Sequence, residues 1–165
     1  MENENANAPL EPRFPTLDDL LFLCRCLNEA GARYLVIGGW AVIQHGFDRT
    51  TSDVDLLVEA GPDNFQRLRQ AMLKLPDGAI REVQPNDLDE FVVVRVGDEF
   101  VVDLMIRSCG IEYNEASRDI EWIKVHDVVI PFANARLLLR TKQTQREKDA
   151  LDRAFLAELL KQKSR

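Results

Sequence analysis

Residues Asp53 to Val58 read Asp-Val-Asp-Leu-Leu-Val, a run apolar enough for a buried strand that nevertheless opens on two carboxylates. Side chains alternate along a strand, so Asp53 and Asp55 share one face while Val54 and Leu56 share the other. A second apolar run, Glu99 to Ile106, carries Asp103 on the same face as Val101 and Met105. If these two strands are near neighbours in a sheet, three carboxylates converge. Three such charges repel one another unless positive charge sits between them. A hard divalent cation with oxygen ligands is the natural partner. Acids on a strand also mark exposed edges that resist aggregation, and that reading serves for Asp53-Val54-Asp55 or for Asp103 taken alone.

The glycines upstream alter the balance. Arg33 to Ile37 reads as a buried strand, Gly38-Gly39 as its turn, and Trp40 to about Gly46 as a short helix. Backbone N–H groups where a helix begins bind phosphate oxygens, and glycine lets a ligand approach the backbone closely. A phosphate seat on one strand end and metal-binding acids on the next strand match what a nucleoside triphosphate–Mg²⁺ complex requires. Arg49, four residues before Asp53 on a predicted loop, can contact phosphate or pair with Asp55.

The rest of the pattern mixes helices with a sheet. Thr16-Leu17-Asp18-Asp19 predicts a capping box and a helix to about Ala30, ended by Gly31. A strand over Asp53–Glu59 precedes a helix over Asn64–Leu75. Short strands are expected at Ile80–Val83, Trp122–Val125 and Val128–Ile130. Phe91–Val96 and Glu99–Ile106 predict a hairpin across Gly97-Asp98. Ala133–Arg140 is helical, and Thr144-Gln145-Arg146-Glu147 predicts a capped final helix to about Lys161, with Leu151, Phe155 and Leu159 facing the core. The hairpin makes the sheet mixed, so the fold class is α+β. The division expected is a flexible tail over 1–13, a core over 14–132, and a helical segment over 133–165 packed on that core.

Composition narrows the class. At 45% hydrophobic and 30% charged over 165 residues, the chain suits one soluble globular domain. No apolar run approaches the ~20 residues of a membrane span, so no membrane partner is expected. The first residues lack the basic and apolar regions of a signal peptide, and Cys24, Cys26 and Cys109 are read as reduced thiols in a cytoplasm. The net charge of −7 is uneven: residues 133–165 hold nine Lys/Arg against four Asp/Glu, and the remainder twelve against twenty-four. A basic segment beside an acidic body serves an anionic ligand or docks on that body. His45 and His126 show no partner in sequence and carry no assigned role.

Taken together, Gly38-Gly39, thirteen intervening residues, Asp53-Val54-Asp55-Leu56 and the later strand residue Asp103 resemble the nucleotidyltransferase superfamily of polymerase-beta-like fold. Gly38-Gly39-Trp40-Ala41 and Arg49-Thr50-Thr51-Ser52 look like its small bacterial branch. That branch contains minimal nucleotidyltransferases, AbiEii-like toxins and aminoglycoside and lincosamide nucleotidyltransferases. Lys142, Arg146, Lys148-Asp149 and Asp152 look like the Lys, Arg, Lys-Asp, Asp series that follows the sheet in AbiEii-like members. The resemblance spans Leu35 to Asp152. It implies a mixed sheet packed with helices and followed by C-terminal helices.

It further implies that Asp53, Asp55 and Asp103 are catalytic and ligate Mg²⁺, with Asp103 able to act as general base. Gly38 and Gly39 would hold a triphosphate, and Lys142 and Arg146, with Arg49, would neutralise phosphate. Pairing to Asp or Glu explains the two basic residues near 144 equally well. The resemblance implies a nucleoside triphosphate donor and a tRNA or partner protein as acceptor, as in a toxin–antitoxin system. An antibiotic-modifying enzyme and a non-catalytic nucleotide-binding or interaction module are the alternatives. Trp40 departs from the pattern, standing where a small hydroxyl residue would offer one more phosphate ligand.

Overall fold

A computed structural model describes residues 11–164. The part of the predicted tail at 1–10 lies outside the described residues. At Arg13, the last residue of the predicted tail, the N–H donates to the Glu99 carbonyl at 3.0 Å, and the guanidinium grips the Asp19 carboxylate.

The chain runs α1 (Leu17–Glu29), β1 (Tyr34–Ile37), α2 (Gly38–Gln44), β2 (Asp53–Val58), α3 (Pro62–Met72), the single turn α4 (Asp87–Glu90), β3 (Val94–Gly97) and β4 (Val101–Met105). A small ribbon of β5 (Arg107–Ser108) and β6 (Ile111–Glu112) and the single turn α5 (Tyr113–Ala116) follow. Then come β7 (Ile120–Val125), β8 (Val128–Ala133), α6 (Ala135–Arg140) and α7 (Glu147–Lys163). Six strands form one sheet in the order β3-β4-β2-β1-β8-β7. It is mixed, as expected: β2 runs parallel to β4 and β1 to β8, while the other neighbouring pairs are antiparallel.

The central strand β1 is buried at all four residues, so apolar side chains must cover both of its faces. Helices α1 and α3 pack together on one side. Helix α2 packs on β1 and β2 and meets α6, which carries α7. Leu23, Leu27, Leu35, Leu56, Leu104, Leu137 and Leu156 join one core. At ~1.5–3 kcal/mol for each fully buried large aliphatic side chain, this core is the main stabilising term. The predicted capping box forms: the Thr16 hydroxyl accepts from Asp19 N–H at 3.3 Å, and the Asp19 carboxylate accepts from Thr16 N–H at 2.7 Å.

Four expectations need correction. Ile80–Val83 is not a strand; Ala79–Glu82 is a turn of 3-10 helix that starts from left-handed Gly78. Short apolar runs do not distinguish the two by periodicity. The hairpin opens only at Val94, and Asp98-Glu99-Phe100 links its strands rather than Gly97-Asp98. The buried Asp98 carboxylate explains the wider link: it accepts from the N–H groups of Asp77, Ala79 and Glu99, and Phe100 is buried beside it. Thr144 does not cap α7. Arg146 is the cap residue, and the Thr144 hydroxyl donates to Asp149 instead. Leu151 faces solvent, and Leu156 takes the core position.

One buried polar side chain joins three chain segments. Asn64 Nδ2 donates to the carbonyls of Glu59 and Arg33, and its Oδ1 accepts from Arg33 N–H at 2.7 Å. Asn64→Ala leaves the Arg33 N–H and the Glu59 carbonyl without this partner, while the Arg33 carbonyl keeps the Glu59 N–H at 3.2 Å; the loss costs about 2 kcal/mol. Urea unfolding of the variant should show a lower midpoint with an unchanged slope; a midpoint equal to wild type would show that water replaces the amide without loss.

Candidate metal centre

The acids meet because of strand register. In the parallel pair β2–β4, Asp53 lies opposite Val101 and Asp55 opposite Asp103. Both strands present these residues on one face, so the alternation read from sequence becomes a cluster. One carboxylate oxygen from each of Asp53, Asp55 and Asp103 lies within 4.8 Å of the others. They line a cleft of about 610 Å³, with Gly38, Lys142, Arg146 and Lys148 also on its walls.

The electrostatics reflect this crowding. Burial, followed by the charges of Asp53 and Asp103, pushes the Asp55 carboxyl up to about 7, against the pull of Lys142 and Lys148. Burial and the Asp103 charge also raise Asp53. The cluster is short of positive charge, and three oxygen-only donors on rigid strands suit a hard divalent ion such as Mg²⁺. The residues present fit that ion.

The two glycines are held by close approach. Gly38 has φ +68°, and a side chain there would run into the Asp55 carboxylate, whose Cγ lies 2.7 Å from the added Cβ. At Gly39 an added Cβ would meet Thr51 Oγ1 at 2.5 Å. Thus Gly38 lets β2 present Asp55 against the turn. Trp40 does not line the cleft; it packs on the core with its indole N–H unpartnered among the described residues.

The basic residues divide. Lys142 is buried, with its ammonium 2.9 Å from Asp152 and 3.2 Å from Asp149. Arg49 lies outside the cleft lining and donates to Asp152 at 2.6 Å. Burial alone would raise Asp149, but the Thr144 hydroxyl and the Lys142 ammonium outweigh it and hold that carboxyl below the ordinary range. Arg146 is exposed, its Nε 3.8 Å from Asp149. Arg95 is a further residue of the site that carries no local signal in the sequence. It sits opposite Asp103 on β3, donates from Nε and Nη2 to the two Asp103 oxygens at 3.0 Å each, and reaches Asp53 at 3.4 Å. Its position one strand beyond the third acid would have been the clue, but only with the register of β3 known.

The raised Asp55 carboxyl sets a pH dependence. The folded group keeps its proton to about pH 7, whereas an unfolded aspartate releases it near pH ~4. Between those values the folded state binds more protons, so its relative stability falls as pH rises through that window. Without divalent ions, Asp55→Asn should therefore be increasingly more stable than wild type from pH 5 to pH 8. A difference that stays flat with pH would contradict the assignment. Gly38→Ala should lower stability by about 1–2 kcal/mol or more, through a strained backbone and a displaced Asp55; thermal unfolding reads it, and an unshifted melting temperature would rule out the close approach.

No family model matches the sequence, and no curated protein matches it. Among solved structures, the fold is similar to that of a candidate nucleotidyltransferase from Thermotoga maritima, with a TM-score of 0.51 at 12% identity over 90% of this chain and 94% of that one. At that identity the likeness concerns the fold: an α+β fold with a mixed six-stranded sheet and C-terminal helices, resembling a nucleotidyltransferase and bearing an acidic triad that could bind metal.

Proposed function

We propose that the chain is a Mg²⁺-dependent nucleotidyltransferase that moves a nucleoside monophosphate from a nucleoside triphosphate to an acceptor. The observation that carries this reading is the Asp53, Asp55 and Asp103 cluster on one face of β2 and β4, within a fold of that type. Residues 14–132 would form the catalytic core, and 133–165 would close one wall of the cleft.

Asp53, Asp55 and Asp103 would hold the metal, which when bound supplies charge neutralisation at the phosphates. Gly38 and Gly39 would hold the triphosphate through the backbone of their turn, with Gly38 on the cleft wall and Gly39 packed against Thr51 behind it. Lys142 and Arg146 would balance phosphate charge from the opposite wall, with Arg49 fixing Asp152 beneath Lys142. An acceptor hydroxyl would attack the α-phosphorus, the bond to the bridging oxygen of the β-phosphate would break, and pyrophosphate would leave. Asp103 would take the hydroxyl proton, which requires that its oxygens be released from Arg95.

For the acceptor, the AbiEii-like series Lys142, Arg146, Lys148-Asp149, Asp152 favours tRNA or a partner protein in a toxin–antitoxin setting within the cytoplasm. Here Lys148 supports an anionic ligand: it lines the cleft, forms no ion pair among the described residues, and its charge is felt at both Asp53 and Asp55.

Incubation with labelled nucleoside triphosphates, Mg²⁺, purified tRNA and cell extract should give a labelled product that chelation abolishes. Asp53→Ala combined with Asp55→Ala should reduce labelling to background. Labelling that survives in the double variant would sink the proposal.

A further inference from the structure

Arg95 is the one basic side chain that touches the acid cluster among the described residues. Its fork covers both oxygens of Asp103 and extends to Asp53, so two of the three proposed metal ligands already carry a cation from the chain. Lys142 is occupied by Asp149 and Asp152 instead. The pairing is asymmetric. The Asp103 side chain is 6% exposed and that of Asp53 13%, while Arg95 is 64% exposed. The acids are fixed in the sheet, and the arginine can leave without repacking anything.

This rests on the nucleotidyltransferase reading of the site. We propose that Arg95 excludes free divalent ions from the carboxylates, so that the site takes its metal chiefly as a metal–triphosphate complex. Charge sign separates the two forms of the metal. A free divalent ion must displace a bidentate guanidinium from Asp103 and then sit beside it, and Mg²⁺ sheds its own water reluctantly. A metal–triphosphate complex carries net negative charge. The same guanidinium, with Arg146 and Lys148 on the cleft walls, attracts it. Arg95 then transfers its donors from carboxylate to phosphate, and Asp103 is freed as the metal and the donor arrive together. Arg95 is thereby a positioning residue that sets the order of binding.

Mn²⁺ binding to the nucleotide-free protein, followed by electron paramagnetic resonance, reads this without any turnover. The wild type, Arg95→Met, Arg95→Gln and Arg95→Lys are compared, each checked by circular dichroism, with Asp53→Ala plus Asp55→Ala as the blank. Arg95→Met and Arg95→Gln should each bind free Mn²⁺ about tenfold more tightly than wild type. Arg95→Lys, which keeps the charge, should stay near wild type. With a non-hydrolysable triphosphate present, the two neutral variants should lose that advantage. Equal or weaker binding of free Mn²⁺ by both neutral variants would overturn the proposal, even if the Mn²⁺–triphosphate complex still binds. Failure of every form to bind Mn²⁺, with or without the triphosphate, would overturn both this proposal and the nucleotidyltransferase reading.

Discussion

The parallel pairing of β2 with β4 sets Asp55 directly opposite Asp103, and much of the surrounding structure answers that placement. Two carboxylates from adjacent strands and a third, two residues along, cannot all ionise at ease in a half-buried cleft. The chain responds in three ways. Burial and its two neighbours push the Asp55 carboxyl up to about 7, so it is only partly ionised near neutral pH. Arg95 bridges Asp103 and Asp53 from the edge strand. Gly38, with no side chain and a left-handed backbone, lets the β1–α2 turn approach Asp55 where any other residue would collide with it. Like charges left facing one another, where an apolar strand would be more stable, suit an acidic triad that could bind metal.

A second set of charges holds the opposite wall. Asp152 is buried on α7 and receives both Arg49, from the loop before β2, and Lys142, from the segment after α6. Asp149 adds to the grip on Lys142, and Arg153 donates to the carbonyls of Lys142 and Thr144. Buried ion pairs of this kind contribute little net stability against an apolar alternative, yet breaking one by removing a partner leaves a charge buried alone. Their consequence here is positional. The last helix is locked to the loop that leads into the acid strand, and Lys142 is held at the cleft with its ammonium aimed by two carboxylates.

The acid cluster is legible in the sequence because strand periodicity is two: Asp53 and Asp55 have to share a face, and only the adjacency of the second strand is open. The mixed sheet followed from a hairpin in a chain otherwise alternating helix and strand. Arg95 was hidden because its meaning depends on register, which pairs it with Asp103 and which no local pattern specifies. Lys142 and Arg49 were visible as basic residues, but their shared partner Asp152 lies far along the chain from Arg49, and tertiary ion pairs leave no local signal. Thr144 looked like a helix cap because its spacing to Glu147 fits one; the hydroxyl instead serves Asp149, and the helix starts later. Ile80–Val83 was too short for periodicity to separate strand from helical turn.

The proposed activity requires that the carboxylates and the nucleotide share one ion. Calorimetric titration of a non-hydrolysable nucleoside triphosphate into the protein, once with Mg²⁺ and once with chelator, measures that directly. Binding that appears with Mg²⁺ and disappears with chelator is the predicted result. Binding of equal strength in both would contradict it, and would leave the fold as a nucleotide-binding module whose acids hold no metal.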